Sequence, residues 1–271
     1  MKLKFLRLAY FLSAVAIGFL AIAYPYRSIA LAEVSQVSEP IELSQLEQND
    51  VIYLGENHDN PEHHERQLAI IQQLDRDSHL KPIAIGMEMF QRPFQPILDS
   101  YLANQITEAE LKEQTEFDRR WGFDWEFYAP ILRYAKTNEI SLLALNTPAE
   151  ITQKVATTGI DSLQGSDFRY IPPIDEIQLD NAAYRQAVEE VYLEHVEEGQ
   201  SNSADFDNFF AAQILWDETM ADAIAFYYQN NPQSQIVVLV GKAHVMEDYA
   251  IPDRVNRRIS DPGFSSIIYL Q

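Results

Sequence analysis

The chain contains no cysteine. That excludes disulfides, thiolate metal sites, a thiol nucleophile and an N-terminal lipidated cysteine, so the fold rests on its apolar core alone. Basic residues are scarce: 20 Lys and Arg stand against 41 Asp and Glu, for a net charge of −21. A surface that acidic repels phosphate backbones, which argues against nucleic acid as a partner. No P-loop, G-x-S-x-G, H-E-x-x-H or G-x-G-x-x-G pattern occurs, and with them go the nucleotide, serine-hydrolase and helical zinc sites those motifs build. There is no internal repeat and no low-complexity tract.

What is present suits a globular protein. Of 271 residues, 46% are hydrophobic and 11% aromatic, enough for a packed core in one large domain. The first segment stands apart. Lys2, Lys4 and Arg7 precede an apolar run from Leu8 to Tyr24, and Ala30-Leu31-Ala32 follows before Glu33. This is the pattern of a signal peptide with a small-residue cleavage site, so residues 1–32 are expected to be removed on export to a periplasm or an equivalent lumen. Left uncleaved, residues 8–24 would be an N-terminal membrane anchor. Residues 33–48 read as a polar N-terminal arm, and 49–271 as the folded domain.

Within 49–271, short β-prone apolar runs alternate with helical patterns. Val51–Leu54, Pro82–Glu88, Ile140–Asn146, Gln235–Val240 and Ser266–Leu270 read as strands. Helices are expected over 61–77, about 94–104, about 107–115, from Asp124 to Lys136, and over 148–158, 181–198 and 205–231. Pro61 suits a first helical turn. Strand–helix alternation predicts an α/β fold: a mainly parallel central sheet with helices on both faces, and an inserted helical cap over about 160–232. Ligands in such sheets bind beyond the carboxyl ends of the strands.

Those ends carry the polar residues. The first strand runs into Gly55-Glu56-Asn57-His58 and the fourth into Gly241-Lys242-Ala243-His244; Glu88 and Asn146 follow the second and third. A glycine after an apolar strand allows a sharp turn or close approach of a ligand. Glu and His there can serve as general base or metal ligand. Glu56, His58, Glu88 and His244 are therefore the candidate catalytic set and also the candidate divalent-metal set. The structural alternative for Glu56 and His58 is that they cap the helix from Pro61. His64, Arg92, Asn146, Gln213 and Asp217 are candidate cofactor-binding residues: Arg92 to neutralise a carboxylate or hold a propionate, Gln213 and Asp217 one turn apart on a long helix. His63 flanks the first strand end, whereas His79 and His195 read as solvated. The aromatics from Trp121 to Tyr128 read as packing that could also line an apolar pocket.

Leu54–His64, Gly86–Pro93, Ala144–Asn146, Ala212-Gln213 with Asp217–Ala221, and Gly241–Arg254 resemble, in matching order over roughly residues 45–260, the ChaN-like haem-binding uptake family. The wider superfamily includes TIKI metalloproteases and erythromycin esterases. The resemblance implies haem binding linked to iron acquisition, in a homodimer with tyrosine ligation; the wider group implies metal-assisted or His/Glu-based hydrolysis. Two departures stand out. There is no lipoprotein cysteine, and Lys242 places a cation beside His244, which disfavours a metal there unless it points away.

Overall fold

A computed structural model describes residues 43–77, 81–197, 205–245 and 249–270. The expected signal segment, most of the expected arm and His79 lie outside these residues, as does the side chain of His195. Five strands form one sheet: β1 (Val51–Glu56), β2 (Ile83–Gln91), β3 (Ser141–Asn146), β4 (Gln235–Gly241) and β5 (Ser266–Leu270). Their order is β3-β2-β4-β1-β5, and every pairing is parallel. The α/β class, the parallel sheet and the helices around it agree with the sequence reading.

The helices are α1 (Leu43–Glu47), α2 (Pro61–Asp77), α3 (Gln95–Leu102), α4 (Glu108–Gln114), α5 (Phe117–Arg120), α6 (Trp125–Thr137), α7 (Ala149–Thr158), α8 (Ala182–Glu197), α9 (Phe206–Asn230) and α10 (Ile251–Arg258). Local chemistry fixes several starts. Asn60 accepts the Glu62 amide at 3.0 Å at the head of α2, Thr107 and Glu110 form a capping box for α4, and Asp124 caps α6.

The strands are apolar throughout because both faces are covered. Ile52, Leu54, Val237, Leu239, Ile85 and Met87 point into one layer, against Ile71, Leu98 and Leu132 of α2, α3 and α6. Val51, Tyr53, Ile236, Val238 and Val240 point into the other, against Met220 and Ile224 of α9 and Ile251 and Val255 of α10. The period of two along each strand separates the layers. A third cluster joins α7, α8 and the first half of α9 through Val155, Tyr184, Val188, Phe210 and Ile214. Within 160–232, then, α9 divides its length: its start packs on α7 and α8, and its end lies on the sheet.

The outer edge of β3 is not left bare. The Gln95 side chain donates to the Leu142 carbonyl at 2.8 Å and accepts the Ala144 amide at 2.7 Å. One glutamine thus stands in for a neighbouring strand.

Candidate functional site

The register sets the site. β4 lies between β1 and β2, with Glu56 opposite Gly241 and Met87 opposite Leu239. Glu56 and Glu88 therefore flank the end of β4 from either side, and both are buried. Gly241 sits between them. A Cβ on Gly241 would stand 2.7 Å from Nε2 of His58 and 3.5 Å from Oε2 of Glu88. Its φ of −57° is open to any residue, so the glycine serves close packing rather than a turn. Gly55 likewise lacks a positive φ, and a Cβ there would meet Leu270 at 2.8 Å.

Glu56 is the anchor of one half. Its Oε1 accepts from Nδ1 of His58 at 2.8 Å and from the Tyr128 hydroxyl at 2.9 Å, while Oε2 accepts from Gln67 at 2.7 Å. Burial raises the Glu56 pKa, but His58, His64 and Gln67 outweigh it and the net shift is downward. Burial lowers the His58 pKa, yet Glu56 and Glu88 together raise it. The His58 ring meets Trp121 edge-on at 4.8 Å and Phe123 at 5.0 Å. These two carry no helix cap; Asn60 does that work.

The other half is centred on His244. Its Nδ1 lies 2.5 Å from Oδ1 of Asp217, and its Nε2 lies 3.4 Å from Oε1 of Glu88. Oε2 of Glu88 accepts the Gly241 amide at 2.6 Å. Burial lowers the His244 pKa, but Glu88 and Asp217 more than offset this and raise it to about 9. The buried Tyr184 hydroxyl donates to the second oxygen of Asp217, and both burial and that carboxylate hold the phenol well above its usual pKa. Gln213 lies 3.4 Å from both the Tyr184 oxygen and Nδ1 of His244. The result is a row in which carboxylates and imidazoles alternate, Glu56, His58, Glu88, His244 and Asp217, all buried except the partly exposed His58. Each G-x-x-H histidine is tied at Nδ1 to a carboxylate, which fixes the ring's orientation and leaves Nε2 turned inward. Such couples can take up and release protons.

Glu56, His58, Glu88, His244, Asp217 and Gln213 thus come together. Other candidates take supporting places. His64 stacks on Phe127 at 4.9 Å and its Nε2 lies 3.1 Å from the His58 carbonyl, so it holds the turn from behind. Asn146 donates to the Glu88 carbonyl at 2.8 Å and accepts from the Trp216 indole, which fixes strand ends. Arg92 does not face the row: it pairs with Asp222 at 2.6 Å. His63 accepts the Asn57 amide at 3.0 Å. The Lys242 charge helps lower the pKa of His63, after the larger effect of burial. Gln67, Tyr184 and Trp216 are absent from the candidate set, and Tyr128 enters it only as a pocket-lining aromatic, not as a partner of Glu56. Gln67 sits one turn after His64, a signal that was readable; one tyrosine among 14 carries none.

Among the described residues, no three His, Asp or Glu side chains present donors arranged to hold a metal ion. The divalent metal expected on Glu56, His58, Glu88 and His244 is not supported by this arrangement: both oxygens of Glu56, Oε2 of Glu88 and Nδ1 of each histidine are engaged by one another or by Tyr128, Gln67, Asp217 and the Gly241 amide.

The family described as haem-binding uptake, Tiki superfamily, ChaN matches residues 43–255. Among solved structures, ChaN of Campylobacter jejuni, described as binding haem cofacially, aligns with a TM-score of 0.62 at 19% identity over 84% of this chain and 83% of that one. An erythromycin esterase mutant in its open conformation aligns with a TM-score of 0.46 at 14% identity, over 84% of this chain and 71% of that one. In sequence, Protein RETICULATA-RELATED 5, chloroplastic, of Arabidopsis thaliana is 26% identical over 129 residues, which is 45% of this chain and 17% of that protein. The chain therefore matches less than a fifth of that relative's length.

Proposed function

From the premise that this chain belongs to the ChaN-type haem-binding uptake family of the Tiki superfamily, we propose that it is an exported protein that binds haem and serves iron or haem handling. The observation that carries the reading is the family match over 43–255 on a ChaN-like fold. Export to a periplasm or equivalent lumen is supported by the basic start, the apolar run and Ala30-Leu31-Ala32. Among the described residues no helix is long and apolar enough to cross a membrane.

The strand-end row is the poorer fit to haem. Both imidazoles spend Nδ1 on carboxylates, and their Nε2 atoms are turned inward toward Gly241 and Glu88. The α8–α9 face fits better. Tyr192 packs against Phe206 at 5.3 Å and Phe209 at 5.1 Å. The Arg185 guanidinium lies 4.7 Å over the Phe206 ring and pairs with the exposed Asp207, which a propionate would have to displace; Leu193 on the same helix is exposed. Aromatic surface suits a planar macrocycle, and a guanidinium suits a propionate. On a chain this acidic, such a cation matters more than usual.

Haemin titration followed by visible absorption tests the reading. The wild type should give a saturable new spectrum, and His58→Ala should keep it. Phe206→Ala with Arg185→Ala should weaken binding about tenfold, the equivalent of roughly 1.4 kcal/mol. No spectral change in the wild type sinks the proposal.

A second reading draws on the Glu56–His58 and Asp217–His244 couples. Imidazoles oriented by buried carboxylates are the equipment of acid–base hydrolysis. In that reading Glu56 or His58 takes a proton from water, and Glu88 and His244 stabilise or return charge. Turnover of ester substrates, lost in His58→Ala, would support it.

A further inference from the structure

Asp217 and Glu218 are adjacent on α9, fully buried, and each holds part of the segment that leads into and through α8. Glu218 accepts the Gln178 amide at 3.2 Å and is gripped by Arg257 at 2.7 Å. Asp217 receives the Tyr184 hydroxyl on one oxygen and Nδ1 of His244 on the other. Tyr184 stands in the first turn of α8. Its ring is packed by Phe210 at 6.1 Å and Tyr249 at 5.1 Å, with the Arg254 guanidinium 5.1 Å over it. One turn on, Val188 is buried in the same cluster as Phe210 and Ile214. One carboxylate thus joins a residue of the α8 segment to a residue of the strand-end row.

A carboxylate that serves two donors on opposite oxygens cannot rotate to favour one without straining the other. If α8 shifts, Tyr184 goes with it and Asp217 is freed to turn. Gln213, within reach of both Tyr184 and His244, is then the neighbour that can replace the lost donor. We infer that Tyr184 is a positioning residue: through Asp217 it makes the orientation of the His244 imidazole depend on the docking of α8. The inference rests on reading the buried couples as a working site. It adds that the site is complete only with α8 in place, so a ligand on the α8–α9 face reports to the strand ends.

The test is the ring signal of His244 in the full chain, read by long-range proton–nitrogen NMR and identified by its disappearance in His244→Gln. A short hydrogen bond to Asp217 should place the Nδ1 proton far downfield. Tyr184→Phe should move it upfield. Val188→Ala, which loosens α8 without touching Asp217, should move it in the same direction. A signal unmoved in both variants overturns the inference, and so does a shift in Tyr184→Phe alone, because docking is then not transmitted. If Tyr184→Phe fails to fold by circular dichroism, Val188→Ala decides: movement supports the inference and its absence overturns it. The spectra report geometry only. Missing turnover would count against the hydrolytic reading and leave this result standing.

Discussion

Nε2 of His58 occupies space that a side chain on Gly241 would need: the two would stand 2.7 Å apart. Gly241→Ala should therefore expel the ring from its place beside Glu56. Overpacking of a filled interior costs about 1–3 kcal/mol. The expected outcome is a lowered melting temperature and loss of the His58–Glu56 signature in histidine NMR. A variant with wild-type melting and an unmoved His58 signal would show that the neighbours yield without cost.

Glu56→Gln keeps the shape of the side chain and inverts half its hydrogen bonding. Glu56 now accepts from His58, Tyr128 and Gln67, and an amide would set its own N–H groups against those donors. Breaking a buried ionic couple by altering one partner costs roughly 3–5 kcal/mol, so chemical denaturation should show a loss of that order. Glu56→Gln that unfolds like wild type would mean the surroundings rearrange to donate to an amide.

Stability should fall on both sides of a plateau as pH changes. His244 is raised from 6.5 to about 9, so its contribution is fully present below pH 6.5 and lost as pH climbs through about 9. His58 is raised as well and adds to that alkaline limb. Glu56 is lowered from 4.5, so its contribution is present above pH 4.5 and lost as pH falls through the lowered value. Urea unfolding across about pH 2 to 10 checks this, and His244→Gln should flatten the alkaline limb. An alkaline limb of unchanged slope in that variant would assign the loss to other groups.

Gln95→Ala should open the outer edge of β3. Two hydrogen bonds are lost there, at about 0.5–1.5 kcal/mol each, and the Leu142 and Ala144 backbone is freed for another strand. The expected result is modest destabilisation with greater aggregation on heating, read by light scattering. Unchanged scattering would mean that α3 covers the edge without its glutamine.

The sheet was legible because its strands are apolar on both faces, a run that only a covered parallel strand tolerates. Helix α2 was legible from Pro61 and its apolar face. Helix α10 was not. Its Arg254, Arg257 and Arg258 look like a solvated stretch, and their place is set by Glu218, more than thirty residues earlier in the chain. Arg92 follows Glu88 and reads as a cation for a carboxylate or propionate or, equally, as a surface residue; Asp222 of α9 claims it. The two motif glycines read as turn formers. Their negative φ values and crowded surroundings show a demand for space, which no local pattern distinguishes from a demand for conformation. Glu56, His58, Glu88 and His244 could be foreseen together because strand ends converge by topology. Tyr128 and Tyr184 reach them from helices, and nothing in the sequence marks which tyrosine does so.

The strand order has a consequence for how the molecule is made. β1 and β2 lie on either side of β4 and make no hydrogen bonds to each other in the finished sheet. β4 spans 235–241, far along the chain from β1. A chain emerging N-terminus first therefore holds β1 without a hydrogen-bonded neighbour until β4 arrives. Only β2 and β3 can pair before then. Sheets joined by such distant contacts close slowly, and their open edges invite wrong partners while they wait. Truncation anywhere before Gln235 should leave a product that chaperones retain and proteases clear.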